Sequence, residues 1–267
     1  MRIPNVEWIF LNPINNEEAL RLYPIMQKLP SVNLSIESYH IHHAPFLSLK
    51  NMKYIFINRI DADPEPLLSL AQAIRNRRCG LKVLYIDFPI FQVNEEEESL
   101  SDYEMARILA IEKLLRVISW QMDRYKTLEH FRIYGLHPSH YPSALLPFLR
   151  EAVANNILQT LSISFPNSWY HDLTPVHDLF IYAFQGARDR SLDTPFVLNI
   201  MVGRDLLMDI CTAFSNALAS FQTQRQLPLQ VVFGSLNDEH IPVNEILHFF
   251  EPLSSNTRKI NALYILV

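Results

Sequence analysis

Nine times along the chain a short segment repeats: an aliphatic or aromatic residue, two variable residues, an aliphatic, one variable residue and another aliphatic. The clearest copies are Met52 to Ile57, Leu81 to Ile86, Leu128 to Ile133 and Leu158 to Ile163, and Val6 to Leu11 and Ile260 to Ile265 match near the two ends. Ser31 to Ile36, Pro195 to Ile200 and Leu229 to Gly234 are degenerate copies. The starts fall about 32 residues apart on average, a period that marks stacked structural repeats. Within a copy the alternation is that of a strand, whose residues i and i+2 share a face, so Ile55 with Ile57, Leu84 with Ile86 and Leu161 with Ile163 should point together into a core. The stretches between copies carry helical spacing, as in Leu67, Leu68, Ala71 and Ile74, or Leu145, Leu146, Leu149 and Val153. One strand plus helix unit cannot bury its apolar face alone, and stacking supplies the cover.

In these residues the chain resembles the leucine-rich repeat family, in the longer strand plus helix form of ribonuclease inhibitor and of the substrate-reading half of F-box proteins. The resemblance runs over nearly the whole chain, residues 1–267, as a single repeat domain of about nine units. It implies an α/β solenoid, a horseshoe with a parallel sheet on the concave side and helices outside. It further implies a protein-interaction scaffold, such as the substrate-recognition module of an F-box-like adaptor in the ubiquitin pathway, rather than an enzyme. The family's loop asparagine is replaced by Ile14, Ile60, Pro89, Leu136 and Pro166, and with the first repeat starting at Val6 no F-box is expected before it.

Composition agrees with one large core and narrows the partners. Of 267 residues, 49% are hydrophobic and 19% charged, and the net charge of −5 lacks the basic excess that phosphate backbones attract. Nucleic acid is therefore not expected. Arg75, Arg77 and Arg78 form the one tight basic cluster, read as the cap of a helix C-terminus and a solvated turn. Cys79 and Cys211 are too few for a disulfide framework, and the chain has no run of about 18 apolar residues, so a cytoplasmic or nuclear protein off the membrane is expected. Five glycines leave no phosphate-cradling loop, and no cofactor is expected. The last copy reaches the end of the sequence without a capping repeat, an edge expected to be covered by a partner, a second copy or further chain.

Three polar clusters carry residue types suited to chemistry. His40 and His42 would share a face if the second strand continued, a spacing able to hold zinc, but no further ligand completes a shell except Glu37, and no metal is expected. His137 to Tyr141 reads as a proline-broken surface loop. Residues 93–104 lengthen the fourth repeat with four successive glutamates, a site for a basic partner, and Ser101 with Glu104 then fits a capping box that opens a helix of Met105, Ile108, Leu109, Ile111, Leu114 and Leu115.

The candidate binding surface follows from the repeat itself. With the aliphatics inward, the third, fifth and seventh positions point outward together: Trp8, Phe10 and Asn12; Asn33, Ser35 and Glu37; Tyr54, Phe56 and Asn58; Val83, Tyr85 and Asp87. Of these, Trp8, Phe10, Asn12, Glu37, Tyr54, Phe56, Asn58, Tyr85 and Asp87 are the expected partner-binding residues, aromatic anchors inside a polar rim. In later repeats the columns become Arg132, Ser162, Ser164 and Asn199.

The rival architecture is a (β/α)8 barrel, with a hydrolase site at the strand ends built on Glu37 and Asp87 as paired carboxylates. Against it, the second repeat leaves only about a dozen residues, Pro45 among them, for a crossover helix.

Overall fold

Each of the nine copies contains a strand. The computed structural model describes residues 8–12, 15–30, 32–60, 63–88, 101–136, 142–164, 174–235 and 257–266. The chain is α/β and forms two compact units, Met1–Ile133 and Tyr134–Val267.

The first unit carries β1 (Trp8–Leu11), β2 (Val32–Ile36), β3 (Met52–Ile57), β4 (Val83–Asp87) and most of β5 (His130–Tyr134), with α1 (Asn16–Met26), α2 (Ala44–Leu47), α3 (Pro64–Asn76) and α4 (Asp102–Tyr125). β1 pairs with β2, β2 with β3 and β3 with β4, all parallel. β5 starts beside β4, where the Glu129 and His130 N–H groups both donate to the Lys82 carbonyl. The second unit carries β6 (Thr160–Ser164), β7 (Phe196–Val202), β8 (Leu227–Ser235) and β9 (Ile260–Leu266), paired in that order and parallel, with α5 (Pro142–Ala154), α6 (Thr174–Asp189) and α7 (Arg204–Ser220).

The inward alternation is as the repeat dictates. Ile55, Ile57, Leu84, Ile86, Leu161 and Ile163 are all buried. They face the helices: Ile74 of α3, Leu84 of β4 and Ile118 of α4 line one small cavity of about 10 Å³. In the second unit Phe233 of β8 meets Phe214 of α7 at 5.4 Å and Phe180 of α6 at 6.2 Å, edge to face. Leu67, Ala71 and Ile74 of α3 and Leu145, Leu146, Leu149 and Val153 of α5 are buried as their spacing predicts, whereas Leu68 is exposed. The Ser101 and Glu104 capping box opens α4, and Ile111, Leu114 and Leu115 are buried while Met105 and Leu109 are exposed. Both cysteines are free.

Two sets of polar residues stand differently from the expectation their sequence raises. The second strand stops at Ile36 and the chain turns through a 3₁₀ segment, Ile41–His43, so His40 and His42 do not share a strand face. The histidine that matters structurally is His43, fully buried: its Nδ1 accepts from the His40 N–H at 2.9 Å, which leaves Nε2–H to donate to the Asn12 carbonyl at 3.3 Å. Burial holds its pKa below the ordinary histidine value. Arg77, expected in a solvated turn, is also buried, at 2% exposure. Its guanidinium donates to the carbonyls of Leu47, at the end of α2, and of Met52, the latter at 2.6 Å.

Arg77 belongs to a series. Asn51 donates to the carbonyls of Met26 and Leu29 at the end of α1, and Gln121 and the Tyr125 hydroxyl donate to those of Ile74 and Arg77 at the end of α3. In the second unit Arg190 reaches the Val153 and Asn155 carbonyls at the end of α5 and the Leu158 carbonyl beyond them. Arg225 reaches those of Arg188 and Arg190 at the end of α6, and Lys259 those of Leu218, Ala219 and Phe221 at the end of α7. Helix C-termini leave carbonyls without intrahelical partners and carry partial negative charge, and each donor here comes from a later repeat.

Candidate functional site

The strand register brings the expected surface together. Trp8, Asn33, Tyr54 and Val83 stand opposite one another across β1 to β4, as do Phe10, Ser35, Phe56 and Tyr85 in the next column. Asn12, Glu37, Asn58 and Asp87 follow one residue past or at the ends of the same strands. The backbone continues the columns there, with the Glu37 N–H on the Leu11 carbonyl and the Asn58 N–H on the Ile36 carbonyl.

The rings touch in sequence. Trp8 lies 6.4 Å from Phe10 and 5.0 Å from Phe56, and Phe56 lies 4.5 Å from Tyr85, the last two contacts edge to face. Trp8 and Phe56 are two strands apart, about 9.6 Å of backbone, and can meet because the strand between them carries only Asn33 and Ser35 in these columns. Ser35 is buried beneath them, at 8% exposure, although its position faces the same way. Val83 is buried too. Phe10 is 74% exposed and Trp8 38%, while Tyr54, Phe56 and Tyr85 are half-buried. Asn12, Glu37 and Asn58 are exposed at the rim.

Asp87 is the one rim residue partly withdrawn from solvent. Burial raises its pKa above the usual carboxylate value, and the Arg132 guanidinium opposes the shift, with Nε 3.6 Å from Asp87 Oδ1. Arg132, at the fifth position of β5, also lies over the Tyr85 ring, 5.7 Å from its centroid. Sequence reasoning placed Arg132 in the outward column but missed that it closes the aromatic row as a stacked cation; its position next to Tyr85 in the repeat was the available signal.

Ile60, which stands at the position of the asparagine in the leucine-rich repeat pattern, is buried, and the loop backbone there is satisfied by backbone. Its N–H donates to the Asp87 carbonyl at 3.2 Å, and the Tyr39 N–H donates to the Arg59 carbonyl at 2.8 Å. In the second unit the equivalent middle column starts polar and ends apolar, Ser162, Asn199, Val232 and Tyr264; Asn199 donates to the Ser162 hydroxyl at 3.0 Å, and the buried Ser164 hydroxyl accepts from the Gly135 N–H. A further concavity of about 590 Å³ lies where the helices of the first unit end, lined by Tyr23, Gln27, Ser48, Lys50, Asn76 and Arg78 among others. Its two cations sit among helix C-termini, where the dipole accounts for them.

The acidic insertion through residue 100 and the segment 137–141 lie outside the described residues, so the docking reading of residues 93–104 meets structure only at its last four positions, where Ser101 caps α4. Among the described residues no group of three or more His, Cys, Asp or Glu side chains could hold a metal ion, and no helix is long and apolar enough to cross a membrane. Compared with known protein families, curated proteins and solved structures, the chain matches none.

Proposed function

We propose that the chain is a protein-interaction scaffold of the leucine-rich-repeat-like solenoid type, not an enzyme, that takes a protein partner on the aromatic strand face of its first unit, as the substrate-recognition part of an F-box-like adaptor would. The observation that carries this is the row Phe10, Trp8, Phe56 and Tyr85, each ring in contact with the next and Phe10 mostly in solvent, bordered by Asn12, Glu37, Asn58 and Asp87. Large rigid aromatics clustered inside a polar rim supply much of the energy at protein interfaces, and a contiguous exposed apolar patch marks a docking surface. Strand order that follows chain order in each unit supports the solenoid.

The alternative, a barrel hydrolase using Glu37 and Asp87, has weaker support. The two residues stand two strands apart, about 9.6 Å of backbone and near the upper limit for an acid and base pair, and Asp87 already faces Arg132.

The test is affinity capture followed by binding measurements with Tyr54 and Tyr85 both changed to Ala. Binding of the captured partner should weaken by about 2 to 4 kcal/mol, the scale of clustered aromatic hot spots. The unfolding midpoint should move little, because both residues are partly exposed. Unchanged affinity with a large loss of stability would make these rings core and overturn the reading.

A further inference from the structure

We propose that the edge of the first unit where its helices end is a second docking surface, taken by a short acidic polypeptide segment with one carboxylate seated between Lys50 and Arg78. It shares no residue with the aromatic face. The edge consists of the turns that lead from α1, α2, α3 and α4 into the strands that follow. Residues 27–30, 48–53, 75–82 and 123–129 hold nine Lys and Arg against Asp123 and Glu129 alone, in a chain of net charge −5.

Three of these cations are occupied. Arg77 is held by carbonyls, Lys82 pairs with Glu129 at 2.8 Å, and Arg124 lies over the Trp120 ring at 4.8 Å. The other six, Lys28, Lys50, Lys53, Arg75, Arg78 and Lys126, are exposed and make no side-chain hydrogen bond or ion pair among the described residues. The carbonyls at these helix ends are already served by Asn51, Arg77, Gln121 and Tyr125. The helix dipole accounts for cations in such turns in both units alike, but not for cations left unoccupied. In the corresponding turns of the second unit Arg190, Arg225 and Lys259 sit on carbonyls and Arg188 lies 4.0 Å from Asp189, which leaves Arg258 alone over among the described residues. Like charges gathered without partners repel one another, and an anion relieves that cost.

The spacing of the cations selects the anion. Neighbouring strands start about 4.8 Å apart, so the four turns span about 14 Å with one or two unoccupied cations each. An extended segment sends every second side chain to one face, about 6.8 Å apart, so two or three Asp or Glu residues cover that span. Cys79 Sγ donates to the Lys50 carbonyl at 3.2 Å and ties the second turn to the third, and the concavity of about 590 Å³ lined by Lys50 and Arg78 lies there. Gln27, Ser48 and Asn76 add hydrogen-bonding groups to its wall, and no carboxylate lines it. A compact phosphate would reach the cations of one or two turns and leave the rest unpaired. A long nucleic acid would run past the edge onto the negative remainder of the chain, whereas a short acidic segment meets the edge alone.

The experiment titrates the full chain into rhodamine-labelled hexaglutamate at low salt and reads fluorescence anisotropy. Binding should saturate with a Kd below about 0.5 mM, the sum of several exposed charge pairs, and should disappear in about 0.5 M salt. Lys50→Glu with Arg78→Glu should weaken it about tenfold, and the milder Lys50→Gln with Arg78→Gln about threefold. Arg258→Glu, which reverses the unoccupied cation of the second unit, should change it less than about twofold. All three positions are exposed, so each variant should melt with the parent. No binding up to about 1 mM chain, or binding indifferent to both Lys50 and Arg78 pairs, overturns the proposal. Displacement of the peptide by hexathymidylate or by pyrophosphate at a lower concentration than by unlabelled hexaglutamate also overturns it, by making the edge a surface for nucleic acid or for phosphate.

Discussion

Replacing Arg190 by Met should destabilise the second unit by about 3 to 5 kcal/mol. The guanidinium is 2% exposed and has no carboxylate partner among the described residues; it is held by carbonyls of Val153 at 3.0 Å, Leu158 at 2.7 Å, Thr194 at 2.5 Å and Asn155, with its flat face over Phe196 at 5.0 Å. Met keeps the apolar stem and its packing on Phe196 but donates nothing. Four carbonyls left short of a partner at about 1 to 2 kcal/mol each would sum to roughly 4 to 8 kcal/mol. Part of that is offset because a buried charge disappears; burial pushes the pKa of Arg190 down to about 10, the direction expected when the charged form is disfavoured. For a unit of this size the net loss corresponds to a fall in melting temperature of about 10 to 15 °C. Thermal and urea unfolding followed by circular dichroism would measure it, with Arg190→Lys as the intermediate case, since an ammonium reaches fewer of the four oxygens. A Met variant within about 0.5 kcal/mol of the parent would refute the reasoning, and would mean that water serves these carbonyls as well as the guanidinium does.

Three further outcomes are expected. Gly186→Ala should cost about 1 to 2 kcal/mol despite the better helix propensity of Ala, because the new methyl would press on the Arg150 carbonyl and sit 3.0 Å from Val153 Cβ, forcing α5 and α6 apart; a stabilised variant in urea unfolding would contradict this. His43, buried and neutral among His40, His42 and Tyr39, has a folded pKa below the unfolded value of about 6.5. Its contribution is therefore complete above that pH and lost as pH falls below it, and His43→Phe should flatten the acid limb of stability against pH. Tyr39 runs the other way: burial raises its phenol to about 12 in the folded chain, so stability is complete below the unfolded value near 10 and declines between there and 12. Tyr39→Phe should remove that alkaline decline while losing the hydrogen bond to the Ser69 hydroxyl, and an unchanged alkaline profile would place the titrating group elsewhere.

The strands and their columns were legible because both depend on short-range periodicity. Every strand begins within two residues of a repeat start, and Trp8, Tyr54, Phe56 and Tyr85 come together because parallel strands in register carry equal positions to equal heights. What could not be read depends on partners distant in sequence. Whether Ser35 is exposed depends on rings two strands apart; whether Arg77 is solvated depends on carbonyls of Leu47 and Met52, 30 and 25 residues earlier. The role of His43 is set by Asn12, 31 residues away, and hidden by a strand that ends sooner than alternation suggests. Leu68 satisfied helical spacing and still lies exposed, since spacing gives the face of a helix but not the width of its contact.

The donors at the helix ends also give the repeats a direction in time. Asn51, Arg77, Arg190, Arg225 and Lys259 each serve carbonyls at least 22 residues earlier in the chain. During synthesis a helix made first must wait, its last turn open to water, until the next repeat has left the ribosome. Growth from the N-terminus is thus a zipper in which the ends of α1, α2, α3, α5, α6 and α7 are each locked by the repeat that follows, and a stop or proteolytic cut in that following repeat loosens the one before it.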